Sequence, residues 1–192
     1  MYFTEFIRSD IQRLLQSEYP VYFYWDRMNS IDHPYVVYQT EDLEIPNKLE
    51  PEYEAFLNNA VNVFDYSEIN LIYRNSIFKP LLPDLYSTTE SIIEKDIDVL
   101  FYGLMTPRRQ TIIESLGQSV YYKQNLTLDE LKELIPRSKW VLSIGSYSNL
   151  HNDLLRVTPA LNLGANIMLE ETQETWYNDF LKEHFSNRIH FI

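Results

Sequence analysis

The 192-residue chain contains no cysteine, only four glycines and no long hydrophobic run. Without cysteine it can form neither a disulfide framework nor a thiolate metal site, which fits a reducing compartment. No stretch approaches the roughly 20 apolar residues that a membrane-spanning helix needs. Residues 1–12 mix charged and apolar residues, unlike a signal peptide. We therefore expect a soluble, cytoplasmic protein without a membrane span.

Positive charge is also scarce. Sixteen Lys and Arg stand against 28 Asp and Glu, giving a net charge of −12. A field of this sign repels phosphate backbones, so a nucleic-acid partner is not expected, although a small basic pocket for one diphosphate stays possible. The four histidines show no metal-ligand spacing, so we predict no bound metal. The chain has no P-loop, G-x-S-x-G or G-x-G-x-x-G motif.

What is present, from Asp96 onward, is an alternation of apolar runs and helical patterns. Residues 97–103 form a near-continuous apolar run, typical of a strand buried on both faces of a parallel sheet. Residues 107–117 predict a helix between a proline and a glycine, and Thr127 with Glu130 predicts a capping box. This alternation favours an α/β fold with a parallel sheet. The other strands are predicted at 119–123, 139–145 and 165–171, and the other helices at 126–137, 152–164 and 175–185.

The first half of the chain is less regular. Apolar spacing predicts a helix at 5–18, and β-branched and aromatic runs predict strands. Ser67 is a candidate N-cap for a short helix. Pro80 and Pro83 indicate a crossing between domains. Strands are predicted at 21–25, 35–40 and 61–67, with a further helix at 52–60.

In open α/β sheets, ligands bind beyond the carboxyl ends of the strands. Gly103 ends a buried strand there, and Arg108 and Arg109 fall in the first turn of the next helix. Cations at a helix N-terminus are unfavourable unless an anion is present. A bound diphosphate would meet both backbone N–H groups and guanidinium groups. The alternative is that both arginines are surface residues paired with acids.

A second candidate group combines Asp153, Arg156 and Glu170. A carboxylate at the carboxyl end of a strand can accept both hydroxyls of a ribose. The alternative is a helix salt bridge and a solvated loop acid. The Gly/Ser-rich loop at 143–149 could also line a pocket, although such loops are common. Its assigned residues are Ser143, Gly145 and Ser146.

Asp96 and Asp98 form a D-x-D pair. In metal-dependent sugar transferases such a pair ends a strand and holds a divalent cation. Here the pair begins the predicted strand, at the opposite end of the sheet from the ligand edge. We interpret it as the start of the strand rather than as a metal site.

Five segments resemble a bacterial and viral group of GT-B glycosyltransferases, similar to families 1 and 4. DIDVLFYGLMTPRR is similar to the group's D-V-L-F-Y-G-S-x-N-x-R-R, and LTLDELKELIPRSKWVLSI to its L-D-E-L-I-x-x-S-K-I-V-L-N-I. RVTPALNLGANIMLE resembles R-x-x-x-x-L-x-N-G-x-x-V-x-S-E, YVVYQTEDL resembles Y-I-I-Y-x-x-E-Q-L, and VNVFDYSEIN resembles V-W-D-Y-S-x-x-N. The resemblance covers about residues 34–172, with the five segments in the family's order.

The resemblance implies two Rossmann-like domains with parallel sheets. Residues 1–90 would be a reduced N-terminal, acceptor-side domain and residues 91–192 the nucleotide-sugar-binding domain. The implied reaction is metal-independent transfer of a sugar from a UDP- or GDP-linked donor to a hydroxyl acceptor. Arg108 or Arg109 would contact the diphosphate, Arg156 would reach the same region, and Glu170 would take the ribose hydroxyls. The implied catalytic set is Arg108, Arg156 and, as candidate bases on the N-terminal side, Glu41 and Asp65.

The chain departs from the family pattern at several positions. Leu104 replaces a serine, Asp153 a glutamate and Leu169 a serine, and the loop at 143–147 lacks the family's histidine. With the short N-terminal domain, these departures motivate an alternative, a non-catalytic nucleotide-sugar-binding or assembly module. A third reading, sugar transfer onto modified DNA bases, is opposed by the charge of −12.

Overall fold

The computed structural model describes residues 3–27, 29–40, 43, 50–84, 94–151 and 153–192. The chain divides into two compact units. One comprises Arg8–Leu81, and the other comprises Met1–Ile7 together with Leu82–Ile192. We call them the N-terminal unit and the C-terminal unit. Across the described ranges, no helix combines the length and apolar character needed to cross a bilayer.

The N-terminal unit is built on a four-stranded, wholly parallel sheet in the order β1-β2-β3-β4. Tyrosine and phenylalanine side chains of the strands and of the second helix pack edge-on and stacked against each other, as in the Tyr35–Phe56 pair. The strands are β1 (Val21–Tyr22), β2 (Val36–Gln39), β3 (Asn62–Asp65) and β4 (Ile77–Phe78), and the helices of this part of the chain are α1 (Phe3–Leu15) and α2 (Pro51–Asn58).

The C-terminal unit contains a five-stranded, wholly parallel sheet in the order β6-β5-β7-β8-β9. From β5 the chain passes to β6, which lies next to β5 on one side, and then crosses to β7, which lies next to β5 on the opposite side. A topological switch point therefore lies between β5 and β7. The strands are β5 (Ile97–Tyr102), β6 (Tyr121–Lys123), β7 (Ser138–Ser143), β8 (Asn166–Leu169) and β9 (Ile189–Phe191), and the helices are α3 (Pro107–Ser115), α4 (Leu128–Arg137), α5 (Leu154–Asn162) and α6 (Thr175–Phe185).

The predicted α/β class with parallel strands is confirmed in both units, and the architecture is compatible with Rossmann-like domains. The predicted capping box is also present: the Thr127 side chain accepts from the Glu130 N–H, and the Glu130 carboxylate accepts from the Thr127 N–H. The D-x-D pair lies at the amino end of β5, as predicted. Asp96 pairs with Arg137 and Asp98 with Lys139, each with a contact of 2.6 Å.

The structure differs from the sequence-based expectation at three places. The strand predicted at 21–25 stops at Tyr22, because the Asp26 carboxylate accepts a hydrogen bond from the Phe23 N–H at 2.9 Å and turns the chain into a 3-10 helix. The short helix predicted after Ser67 is present as a 3-10 helix, but its N-cap is Glu68 rather than Ser67. The edge strands β4 and β9 were not predicted, since two or three residues carry too little periodicity to register.

Candidate functional site

The site lies where β5 and β7 end, at the switch point of the five-stranded sheet. Gly103 follows β5 with a φ of +117°, a conformation that a side chain would strain. A Cβ atom at this position would lie 3.1 Å from Nη2 of Arg156 and 3.9 Å from Nη1 of Arg109. The missing side chain therefore lets two guanidinium groups approach the end of the strand.

Arg109 is held by the chain around it. Arg109 is only 5% exposed. Nε donates to the carbonyl of Ile144 at 3.0 Å, and Nη1 donates to the carbonyl of Leu104 at 2.7 Å. Its guanidinium carbon lies 5.4 Å from the centre of the Phe101 ring. The alternative that Arg109 is a surface residue paired with an acid does not fit this burial.

Arg156 approaches the same point from α5. Its side chain is 9% exposed, and Nη1 forms an ion pair with Asp153, the residue that precedes the helix. Nε is buried and has no hydrogen-bond partner among the residues that the structure describes. The guanidinium carbon lies 5.3 Å from the ring centres of both Phe101 and Tyr102. A buried cation with unused donor capacity is the main polar feature of this edge.

Two neighbouring groups, Ser143 and Tyr102, complete the surroundings of Arg156. Ser143 Oγ donates to the Asp153 carboxylate at 3.3 Å, which orients the partner of Arg156. Burial raises the pKa of the Tyr102 phenol above its ordinary value, although the charge of Arg156 acts in the opposite direction. The phenol therefore stays neutral beside the guanidinium and does not pair with it as an anion.

Arg108 and Glu170 form the outer part of the site. Both terminal guanidinium nitrogens of Arg108 donate to the Glu170 carboxylate. Nη1 lies 3.0 Å from Oε2, and Nη2 contacts Oε1. Nη1 also donates to the Gly145 carbonyl at 3.0 Å, and the Gly145 N–H donates to Oε2 of Glu170 at 3.0 Å. One fork of hydrogen bonds thus joins the start of α3 to the ends of β7 and β8.

The loop after β7 has little room for change. A Cβ atom on Gly145 would lie 1.8 Å from the carbonyl oxygen of Ser148, so this tight turn requires glycine. The Ser146 carbonyl accepts from Thr106 Oγ1 at 2.8 Å. Thr106 is the N-cap of α3, where its side chain accepts from the Arg109 N–H at 3.3 Å. Thr106 thereby joins the two loops that frame the site.

The structure brings the predicted binding residues together at one edge. They lie at or just beyond the carboxyl ends of β5, β7 and β8, in the loops that follow them, or at the starts of α3 and α5. This group comprises Gly103, Arg108, Arg109, Ser143, Gly145, Ser146, Asp153, Arg156 and Glu170. Three arginines and two acids give the edge a local charge of +1 in a protein of net charge −12. With the N-termini of two helices beside them, the arginines can hold an anion.

The two candidate bases belong to another part of the chain. Glu41 lies outside the described residues. Asp65 ends β3 and is 0% exposed. Its Oδ1 accepts from the Ser67 N–H at 3.1 Å and from Asn70 Nδ2 at 2.9 Å, while Oδ2 accepts from Ser76 Oγ at 3.4 Å. Asn70 in turn accepts from the Leu43 N–H at 3.0 Å, so this carboxylate organises the loops of the N-terminal unit.

Sequence reasoning missed two contributors to the site. Thr106 precedes Pro107, and a threonine before a proline at the first helical position is a recognisable N-cap pattern. Phe101 looked like an ordinary strand residue, and nothing in its spacing indicated that its ring would lie near two arginines. The resemblance to the family's motif had suggested the arginines but not the aromatic surface beneath them.

No family model matches the chain, and a search of curated proteins found no match. Among the residues with described coordinates, no group of three or more His, Asp or Glu side chains is arranged to hold a metal ion.

Proposed function

We propose that the C-terminal unit binds a UDP- or GDP-linked sugar at this edge and that the chain transfers the sugar to a hydroxyl acceptor. The observation that carries the proposal is Arg156, a cation with a 9% exposed side chain and an unpartnered Nε, beside a glycine at the switch point of a parallel sheet. Ligands of open α/β sheets bind at such switch points. A diphosphate supplies the acceptor oxygens that this guanidinium needs.

The remaining groups fit the other parts of such a donor. Arg109 and the first turn of α3 lie beside Gly103 and would share the diphosphate with Arg156. Glu170, at the end of β8, would accept hydrogen bonds from the ribose hydroxyls. In this arrangement the N-terminal unit would be the acceptor side, as the resemblance to GT-B enzymes suggests.

The chemistry requires stabilisation of a leaving diphosphate. The bond between the anomeric carbon and the phosphate oxygen breaks, the acceptor oxygen bonds to that carbon, and the acceptor proton passes to a base or to the departing phosphate. Arginines and helix N–H groups would stabilise the developing charge without a metal. Each well-placed donor is worth about 3 kcal/mol of barrier, by analogy with oxyanion-hole deletions.

A second candidate function is nucleotide-sugar binding without turnover. The burial of Asp65 favours it, because a carboxylate with 0% exposure and three donors on its oxygens is poorly placed to take a proton from an acceptor. The two functions share the donor site. They differ only in whether the bond between the sugar and the diphosphate is broken after binding.

Calorimetric titration with UDP and GDP tests the shared site. Arg156→Lys keeps the charge but removes Nε and the planar fork, so we expect at least tenfold weaker binding, in line with the loss of a charged hydrogen bond. Arg137→Lys is the matched control, because Arg137 pairs with Asp96 at the amino end of the sheet. Equal affinity of Arg156→Lys and wild type would contradict the assignment.

Turnover is tested separately. Release or transfer of label from UDP- and GDP-sugars, with a panel of hydroxyl acceptors, should proceed equally well with chelator if the enzyme is metal-independent. Binding without any release would leave the non-catalytic module as the function. Loss of turnover in chelator would contradict the metal-independent mechanism.

A further inference from the structure

The Arg108–Glu170 pair has a consequence for ligand choice. We propose that it makes the site selective for ligands that carry a phosphate and a vicinal diol in the same molecule, so that ribonucleotides bind much better than deoxyribonucleotides or inorganic pyrophosphate. The inference depends on the proposed function, since it concerns the same edge of the sheet. It adds a specificity that neither residue would confer alone.

The pair is partly buried, and both oxygens of its carboxylate accept hydrogen bonds from the chain. The Glu170 side chain is 14% exposed and that of Arg108 is 29% exposed. Within the described chain, Oε1 of Glu170 accepts a hydrogen bond from Arg108 alone. Oε2 accepts from Arg108 and also from the Gly145 N–H at 3.0 Å. Removing Arg108 would therefore strip one carboxylate oxygen of its protein donor and leave the other with a single donor.

An incoming phosphate competes for Arg108. When the guanidinium turns to the phosphate, the largely buried carboxylate of Glu170 loses two charge-assisted hydrogen bonds, which is costly. A ribose supplies two hydroxyl donors to the same carboxylate, so the exchange conserves its hydrogen bonds. Pyrophosphate has no hydroxyl groups to offer, and a 2′-deoxyribose has one fewer than ribose. Such a ligand has two options. It can leave the pair intact and bind without a contact to Arg108, or it can separate the pair and leave the Glu170 carboxylate with hydrogen bonds that are not replaced.

Arg156 lies outside this exchange because its ion-pair partner is Asp153. It therefore provides a constant contribution to anion binding. Arg108 provides a conditional one, available at full strength only when the ligand also satisfies Glu170. The ratio of affinities for ribo- and deoxyribonucleotides consequently reports on the Arg108–Glu170 pair.

The experiment measures dissociation constants of the full chain for UDP, 2′-deoxy-UDP and inorganic pyrophosphate. In wild type, UDP should bind at least tenfold more tightly than 2′-deoxy-UDP. Glu170→Gln should lower this ratio to less than threefold and strengthen pyrophosphate binding several-fold, because Arg108 is released. Equal binding of UDP and 2′-deoxy-UDP to wild type would overturn the inference, and this comparison needs no variant.

Two controls separate release of Arg108 from a general change in charge. Glu171→Gln removes the same charge one residue away, from a side chain that pairs with Lys182 at 2.7 Å, and should change pyrophosphate affinity less than twofold. In an Arg108→Met background, Glu170→Gln should no longer strengthen pyrophosphate binding. A similar gain from Glu171→Gln, or a gain that persists without Arg108, would overturn the exchange.

Failure of the inference can be told apart from failure of the proposed function. If wild type binds UDP and 2′-deoxy-UDP equally, the nucleotide site stands and the exchange is wrong. If wild type binds no ribonucleoside diphosphate, with GDP tested alongside UDP, the proposed function is wrong and the exchange is overturned with it.

Discussion

The carboxyl edges of the two sheets carry charged residues in contrasting states. At the end of β3, the Asp65 carboxylate is fully buried and receives hydrogen bonds from Ser67, Asn70 and Ser76. At the end of β5, the guanidinium of Arg156 is almost as deeply buried, yet its Nε makes no hydrogen bond to the described part of the chain. Both sheets are parallel, so topology alone does not account for the difference.

The contrast separates structural charges from charges available to a ligand. A buried ion whose hydrogen bonds are all made within the chain lowers the free energy of the folded state and has little left to offer. A buried ion with an unused donor costs stability until something binds it, which is a common property of functional sites. We therefore expect changes at the β3 edge to affect unfolding and changes at the β5 edge to affect ligand binding.

The largest expected effect on stability comes from the β3 edge. Asp65→Ala removes the acceptor for three donors in a buried network, so we expect a loss of roughly 4 kcal/mol in the free energy of unfolding. Urea unfolding measures this loss. Asp32→Ala, at a side chain that is 98% exposed in the same unit, is the control and should change the unfolding free energy by less than about 0.5 kcal/mol. A small effect of Asp65→Ala would remove the contrast between the two edges.

The second prediction concerns Gly103. Gly103→Ala places a Cβ atom 3.1 Å from Nη2 of Arg156 in a residue with φ of +117°, so we expect a loss of about 2 kcal/mol and weaker nucleotide binding. Gly117→Ala is the matched control, because Gly117 has φ of +63° and nothing within 4 Å of the added atom. It should cost about 1 kcal/mol and leave binding unchanged. Equal binding by both variants would separate Gly103 from the site.

Much of this fold follows from sequence pattern. The apolar run that forms β5 indicates a strand buried on both faces without reference to the rest of the chain. The Thr127–Glu130 capping box likewise indicates the start of a helix, because its reciprocal hydrogen bonds are local. The edge strand β4 does not, because its two residues acquire their conformation by pairing with β3. The turn after Tyr22 depends on one carboxylate, that of Asp26, which returns to the Phe23 N–H.

The residues of the candidate site were predicted to share one edge of the sheet, but the pairing of Arg108 with Glu170 was not predicted. The rule that ligands bind at the carboxyl ends of parallel strands selected Gly103, Arg109 and Glu170, whereas Arg156 entered through its D-x-x-R spacing and the family resemblance. It could not show that Arg108 and Glu170, 62 residues apart in sequence, would bind each other. Such pairing depends on the lateral order of β5, β7 and β8, which only the assembled sheet fixes.

The smallest expected effect lies at the start of α4, where Glu130 accepts a hydrogen bond from Lys123 at the end of β6. A hydrogen bond from Lys123 lowers the pKa of Glu130 from 4.5 to about 2, and hydrogen bonds from Thr127 act in the same direction. Because the folded-state pKa is depressed, the stabilisation is complete above pH 4.5 and is lost as the pH falls towards 2. The melting temperature of wild type should therefore fall more steeply than that of Glu130→Gln across this range. Parallel curves would contradict the assigned stabilisation.

We propose above that the carboxyl edge of the five-stranded sheet binds a nucleoside diphosphate. The most direct test is a nuclear magnetic resonance titration of ¹⁵N-labelled protein with UDP and GDP, following the arginine Nε–H signals and the backbone amides. We expect saturable shifts of the Arg156 and Arg109 Nε–H signals and of the Gly103 and Gly145 amide signals, while the Nε–H signal of Arg137 does not move. Shifts confined to other surfaces, or no shifts with either nucleotide, would contradict it.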